Sequence, residues 1–104
     1  MLIYNTTFHV DEEITPQLIT YLKNNFIPVA ETSGFLFNPE LRKVLMFDEE
    51  KGDSICLQFH VKNMETLNYW LEKDGQNLHQ ALVKQFGQNV VGFSTLLEEI
   101  SLKK

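Results

Sequence analysis

The sequence predicts a single α+β domain in which two helices cover one face of a four-stranded, antiparallel-type sheet. Three observations predict it. In "IYNTTFHV", residues 3 to 10, Tyr4, Thr6, Phe8 and Val10 alternate with the polar Asn5, Thr7 and His9, as a half-buried strand does. In "SICLQFHVKN", Ile55, Leu57, Phe59 and Val61 alternate in the same way with Ser54, Cys56, Gln58, His60 and Lys62. After each of these stretches apolar residues recur at helical rather than strand spacing.

Strand one takes residues 2 to 10. Thr15 is the expected N-cap of the first helix, with Pro16 at a position where a missing N–H costs nothing. Asp11, Glu12 and Glu13 just upstream suit the positive end of that helix, and their spacing resembles no calcium loop. Ile14, Leu18, Tyr21, Leu22, Phe26 and Val29 form its apolar face, Pro28 is expected to kink or end it, and Gly34 marks the exit. After a loop containing Asn38-Pro39, "LRKVLMF" (41 to 47) is expected as strand two. "DEEKGD" reads as a turn, so Glu49 and Glu50 are assigned to solvation rather than to a catalytic pair.

Strand three runs from about Ser54 to Lys62, and Asn63 caps the second helix, whose face carries Met64, Leu67, Trp70 and Leu71. Gly75 is expected to interrupt that helix before a further stretch with Leu78, Ala81, Leu82 and Phe86, stopped at Gly87. "NVVGFSTLLEEI" finishes the domain as strand four. The order β-α-β-β-α-β is the ferredoxin-like arrangement, in sheet order 4-1-3-2. Strands one and three are expected as parallel central neighbours, and residues 1–104 as one domain.

Composition narrows the function classes. A formal net charge of -5, with basic residues adjacent only at Arg42-Lys43 and Lys103-Lys104, argues against nucleic acid and anionic membrane surfaces. No apolar run approaches a membrane span, and no signal-peptide pattern opens the chain, so a cytoplasmic protein is expected. Cys56 is the single cysteine, which rules out an intrachain disulfide and any CxxC motif. Asn5-Thr6-Thr7 formally matches a glycosylation sequon, but a mid-strand asparagine is a poor acceptor.

With this order in hand, the chain resembles a short bacterial family known as a domain of unknown function, family 4286. The resemblance rests on "MLIYNTTFHVDEEI", "FIPVAETSGF", "SICLQFHV" and "QFGQNVVGFSTLLEEI", and it spans nearly the whole chain. More distantly the chain is similar to the dimeric α/β-barrel group, which includes cofactor-free monooxygenases, isomerases and haem enzymes beside ligand-binding proteins. The family supplies no catalytic residues to carry over.

The polar parity of the two central strands places Asn5, Thr7, His9, Cys56, Gln58 and His60 on the sheet face away from the helices. With parallel strands, His9 and His60 would lie at neighbouring strand ends, near enough to act together as acid or base. Asn5, Thr7, Cys56 and Gln58 are the candidate ligand-binding residues. No metal is expected, because Cys56, Asp11 or Glu12 as a third ligand has no spacing motif behind it. No cofactor is implied. Cys56 reads as a small filler, Tyr4 and Trp70 as core aromatics with polar tips, and His79 as exposed. An RNA-recognition use would need aromatics where Asn5, Thr7, Gln58 and His60 stand, and a metal chaperone would need two cysteines after strand one.

Strands two and four offer apolar groups to both faces: Leu41, Val44, Leu45, Met46 and Phe47 in one, and Val90 and Leu96 opposite Val91, Phe93 and Leu97 in the other. That pattern suits pairing of two sheets, so a homodimer through the open face is expected. The reading is a ligand-binding or protein-interaction module using that face. The alternative is a small cofactor-independent monooxygenase or isomerase with His9 or His60 as acid or base.

Overall fold

The computed structural model describes residues 1–45 and 52–103. β1 (Leu2–Val10), β2 (Leu36–Lys43), β3 (Asp53–Val61) and β4 (Val90–Glu98) form one sheet in the order β2-β3-β1-β4. This is the expected 4-1-3-2 order, and the domain is α+β with a ferredoxin-like sheet. Every neighbouring pair is antiparallel, so β1 and β3 are not parallel as the sequence suggested. The first helix carries the chain back so that β2 runs with β1, and the β2–β3 connection then reverses it. The strand next to β1 must therefore oppose it.

Parity holds throughout the two central strands. Tyr4, Thr6, Phe8 and Val10 are buried, as are Ile55, Leu57, Phe59 and Val61, and Tyr4 pairs with Phe59 and Phe8 with Ile55. β2 starts five residues earlier than predicted. Asn38-Pro39 lies within it, where the register slips between Phe37 and Glu40 and Asn38 takes a φ of 52°. A proline cannot donate to a ladder, so it is tolerated at a bulge on an edge strand such as this. Met46, Phe47, Glu49 and Glu50 lie outside the described residues.

Both helical segments run on through the residues expected to break them. α1 (Thr15–Tyr21) passes into a π-helical turn, Leu22–Phe26, and then α2 (Ile27–Thr32). The wider turn accommodates Pro28, whose lost N–H and ring would otherwise disrupt an α-helical ladder. It also resets the phase of the apolar stripe. Leu18, Leu22, Phe26 and Ala30 recur every four residues and are buried, whereas Val29 is exposed. Thr15 is not the cap but the first helical residue, preceded by a 3₁₀ turn at Glu12–Ile14, and its hydroxyl donates to Asp53 Oδ2 at 2.6 Å. With Lys43 3.2 Å away, this bond ties the start of α1 to the start of β3 and holds the Asp53 carboxyl below its ordinary pKa.

In the second segment the Asn63 side chain accepts from Thr66 N–H at 2.8 Å, as a capping residue should. α3 (Met64–Trp70), a π-helical turn at Leu71–Gly75 and α4 (Gln76–Phe86) are continuous, so Gly75 does not interrupt them. It is buried against Trp70, where a Cβ would stand 2.7 Å from the indole ring. Gly87, with a φ of +58°, ends the helix as expected.

Gly75→Ala is therefore expected to destabilise the fold by about 1–3 kcal/mol through overpacking, against the gain that alanine brings to an open helix position. Urea denaturation of the two proteins checks it; an unchanged or raised midpoint would show that Trp70 can give way.

Candidate functional site

The open face of the sheet carries the polar row that the sequence singled out. Asn5 pairs with Gln58 and Thr7 with Cys56 across β1 and β3, so these four residues are brought together. Asn5 Nδ2 donates to Thr7 Oγ1 at 3.2 Å, Thr7 Oγ1 lies 3.4 Å from Cys56 Sγ, and Arg42 Nη1 donates to Gln58 Oε1 at 2.8 Å. The histidines are on this face but not together. His9 pairs with Ser54, and His60 with Ile3, six positions further along β1, which is about 20 Å at strand rise. The antiparallel register is the reason: strands that oppose each other put their C-terminal ends at opposite edges of the sheet.

His9 meets the Ser54 hydroxyl at 3.4 Å, whereas His60 stacks on Phe37 and lies 3.4 Å from Glu99. Asn5 Oδ1 and His60 Nδ1 are buried without a hydrogen-bond partner among the described residues. Beside this row, β4 turns Val91, Phe93 and Leu97 outward, exposed by 61%, 60% and 43%.

A second feature lies on the other face. The helices cover the centre of the sheet but leave a hollow over β4, where the helix-facing positions hold the small Gly92 and Ser94. The result is a groove of about 580 Å³ between β4 and α3–α4, walled by apolar side chains such as Leu67, Leu71, Leu82 and Leu96. Its floor is polar. Tyr4 OH lies 3.1 Å from His79 Nε2, Ser94 Oγ donates to Tyr4 OH at 3.3 Å, and Thr6 Oγ1 lies 3.1 Å from Ser94 Oγ.

His79 is thus not simply exposed, as its place on the helix suggested. The π-helical turn rotates it inward, half-buried and edge-on to Phe26, and burial lowers its pKa below the ordinary 6.5. Tyr4 is a core aromatic whose tip has found its partner in this chain. Trp70 is fully buried, edge-on to Tyr4, but its Nε1 has no partner among the described residues. Sequence reasoning missed Thr6 and Ser94, because a hydroxyl among apolar residues of a strand reads as packing. The available signal was parity: Thr6 and Tyr4 share the helix-facing side.

A family described as "Domain of unknown function (DUF4286)" matches residues 1–100. The chain belongs to this family. No curated protein matches the sequence. Among solved structures, an ethyl tert-butyl ether d (ethd) family protein from Bacillus halodurans c-125 is 16% identical with a TM-score of 0.67, covering 96% of this chain and 100% of that one. An antibiotic biosynthesis monooxygenase-like protein from Deinococcus radiodurans is also 16% identical, with a TM-score of 0.66 over 100% and 97%. A dimeric ferredoxin-like protein from an uncultured marine organism is 14% identical, with a TM-score of 0.61 over 95% and 97%. At these identities the likeness is one of fold.

The lowered pKa of His79 makes a signed prediction. The unfolded chain binds the proton first, so stability contributed by the neutral ring is complete above about pH 6.5. It falls as pH drops through that value and stops falling once the folded ring is protonated too. Denaturation across this range should show a shallower decline for His79→Gln than for the parent.

Proposed function

We propose that the protein is a homodimer paired through its open sheet faces, and that each protomer binds a small, mostly apolar molecule in the groove over β4. The groove carries the reading: an apolar hollow with one hydrogen-bonded polar chain on its floor is the usual make-up of a small-molecule site. Pairing is supported by the outward row Val91, Phe93 and Leu97, since an apolar strip of this kind on a sheet face favours a partner. The solved relative described as dimeric is consistent with it. In such a dimer Asn5, Thr7, Cys56 and Gln58 line the polar centre between the sheets, where a ligand or the partner's own groups would meet the buried Asn5 Oδ1.

An enzymatic use, of the monooxygenase or isomerase kind, is the second reading. His79 favours it, as a half-buried imidazole with a lowered pKa facing the hollow. His9 and His60, about 20 Å apart along β1, do not serve as a pair within one protomer.

Sedimentation should give twice the monomer mass for the parent chain, and the monomer for Val91→Asp combined with Leu97→Asp. A parent that sediments as a monomer would remove the pairing. The groove has its own check. The neutral fluorophore N-phenyl-1-naphthylamine should bind at one site per protomer, and Val83→Trp, at an exposed position on the rim, should weaken it about tenfold or more, the equivalent of 1.4 kcal/mol. Binding that ignores Val83→Trp would place the fluorophore elsewhere.

A further inference from the structure

The protons of the polar chain can be counted. Ser94 Oγ donates its hydrogen to Tyr4 OH. Tyr4 keeps its own hydrogen for His79 Nε2, 3.1 Å away, when the imidazole proton sits on Nδ1. Ser94 has no second hydrogen, so the 3.1 Å contact with Thr6 must be a bond that Thr6 donates. In that tautomer all three hydroxyl hydrogens are used inside the chain. What remains toward the groove is lone pairs, one each on Ser94 and Tyr4 and two on Thr6.

Burial favours the neutral imidazole, whose Nδ1–H tautomer accepts from Tyr4; an imidazolium would instead donate to Tyr4 and leave the phenol hydrogen free. Among the described residues that line the groove, no Asp, Glu, Lys or Arg stands near enough to change this; Tyr4 and His79 are its titratable groups. Tyr4 and Thr6 are buried at the floor and Ser94 is exposed on β4, so a molecule lying in the groove meets this acceptor surface and covers Ser94 as it binds.

We propose that the Thr6–Ser94–Tyr4–His79 chain, with the imidazole proton on Nδ1, makes the groove select flat, apolar molecules that bring a hydrogen-bond donor of their own, a phenolic or enolic hydroxyl, over ethers and ketones of the same shape. This rests on the groove being the binding site. The ligand hydroxyl donates to Ser94 or Tyr4, completing a run of bonds that ends on the imidazole. An ether oxygen there faces only lone pairs, so it loses the bond to water without replacing it.

2-Naphthol and 2-methoxynaphthalene, in which a methyl group replaces that hydrogen, test it by fluorescence titration near neutral pH. The naphthol should bind the parent chain more tightly, by several-fold to about tenfold, the range of a single net hydrogen bond. Tyr4→Phe keeps the ring edge-on to Trp70 but removes the link to His79, freeing the Ser94 hydrogen to point outward, so the preference should shrink to about one or reverse. Ser94→Ala, at an exposed strand position, should reduce it without touching the core. Equal binding of the two compounds to the parent, or a preference that survives Tyr4→Phe, would overturn the selection while leaving the groove as a site. If neither compound competes with N-phenyl-1-naphthylamine, the groove fails as the site and this inference with it.

Discussion

The structure depends on the period-two burial of β1. This strand has a neighbour on each side, so its hydrogen-bonding groups are used in both directions and its register positions the whole sheet. Its even-numbered side chains enter the core, where complete burial of a residue such as Phe8 or Val10 contributes about 1.5–3 kcal/mol. A slip of one residue would exchange Phe8 for His9 and expose the apolar set, which is why the register is strongly specified. Everything functional follows from this parity: the odd-numbered residues make the open face, and Tyr4 and Thr6 supply the floor of the groove.

The first helical segment meets the sheet through a repeat of four rather than 3.6. A plain α-helix would rotate its apolar stripe away over five turns. The π-helical turns at Leu22–Phe26 and Leu71–Gly75 each add a residue and bring the stripe back. The residues that look like breakers, Pro28 and Gly75, sit at or just after these turns. There a proline's missing donor matters less, and glycine lets the backbone close on Trp70. The same correction turns His79 inward, so a device that serves packing also places a half-buried imidazole at the groove.

The groove exists because β4 is an edge strand with small residues on its inner side. Gly92 and Ser94 leave space that a larger side chain would fill; even a Cβ on Gly92 would come within 3.1 Å of the Phe8 ring. Two helical segments cover the three other strands and stop short of this one. Polar groups beneath such a gap need partners, and the four-residue chain supplies them to one another.

Sequence alone determined the element order, the parity of β1 and β3, the Asn63 cap, the Gly87 stop and the four-residue row Asn5, Thr7, Cys56 and Gln58. These are local matters, readable because alternation, capping and helix termination act over a few residues. Tertiary structure decided what depends on distance along the chain. The antiparallel register parted His9 from His60, and the bulge at Asn38-Pro39 moved β2 toward the N-terminus. Packing also gathered Tyr4, Thr6, His79 and Ser94, up to 90 residues apart in sequence, at one groove floor. No periodicity signals such a cluster, since its members belong to different elements and each alone fits an ordinary place in a core.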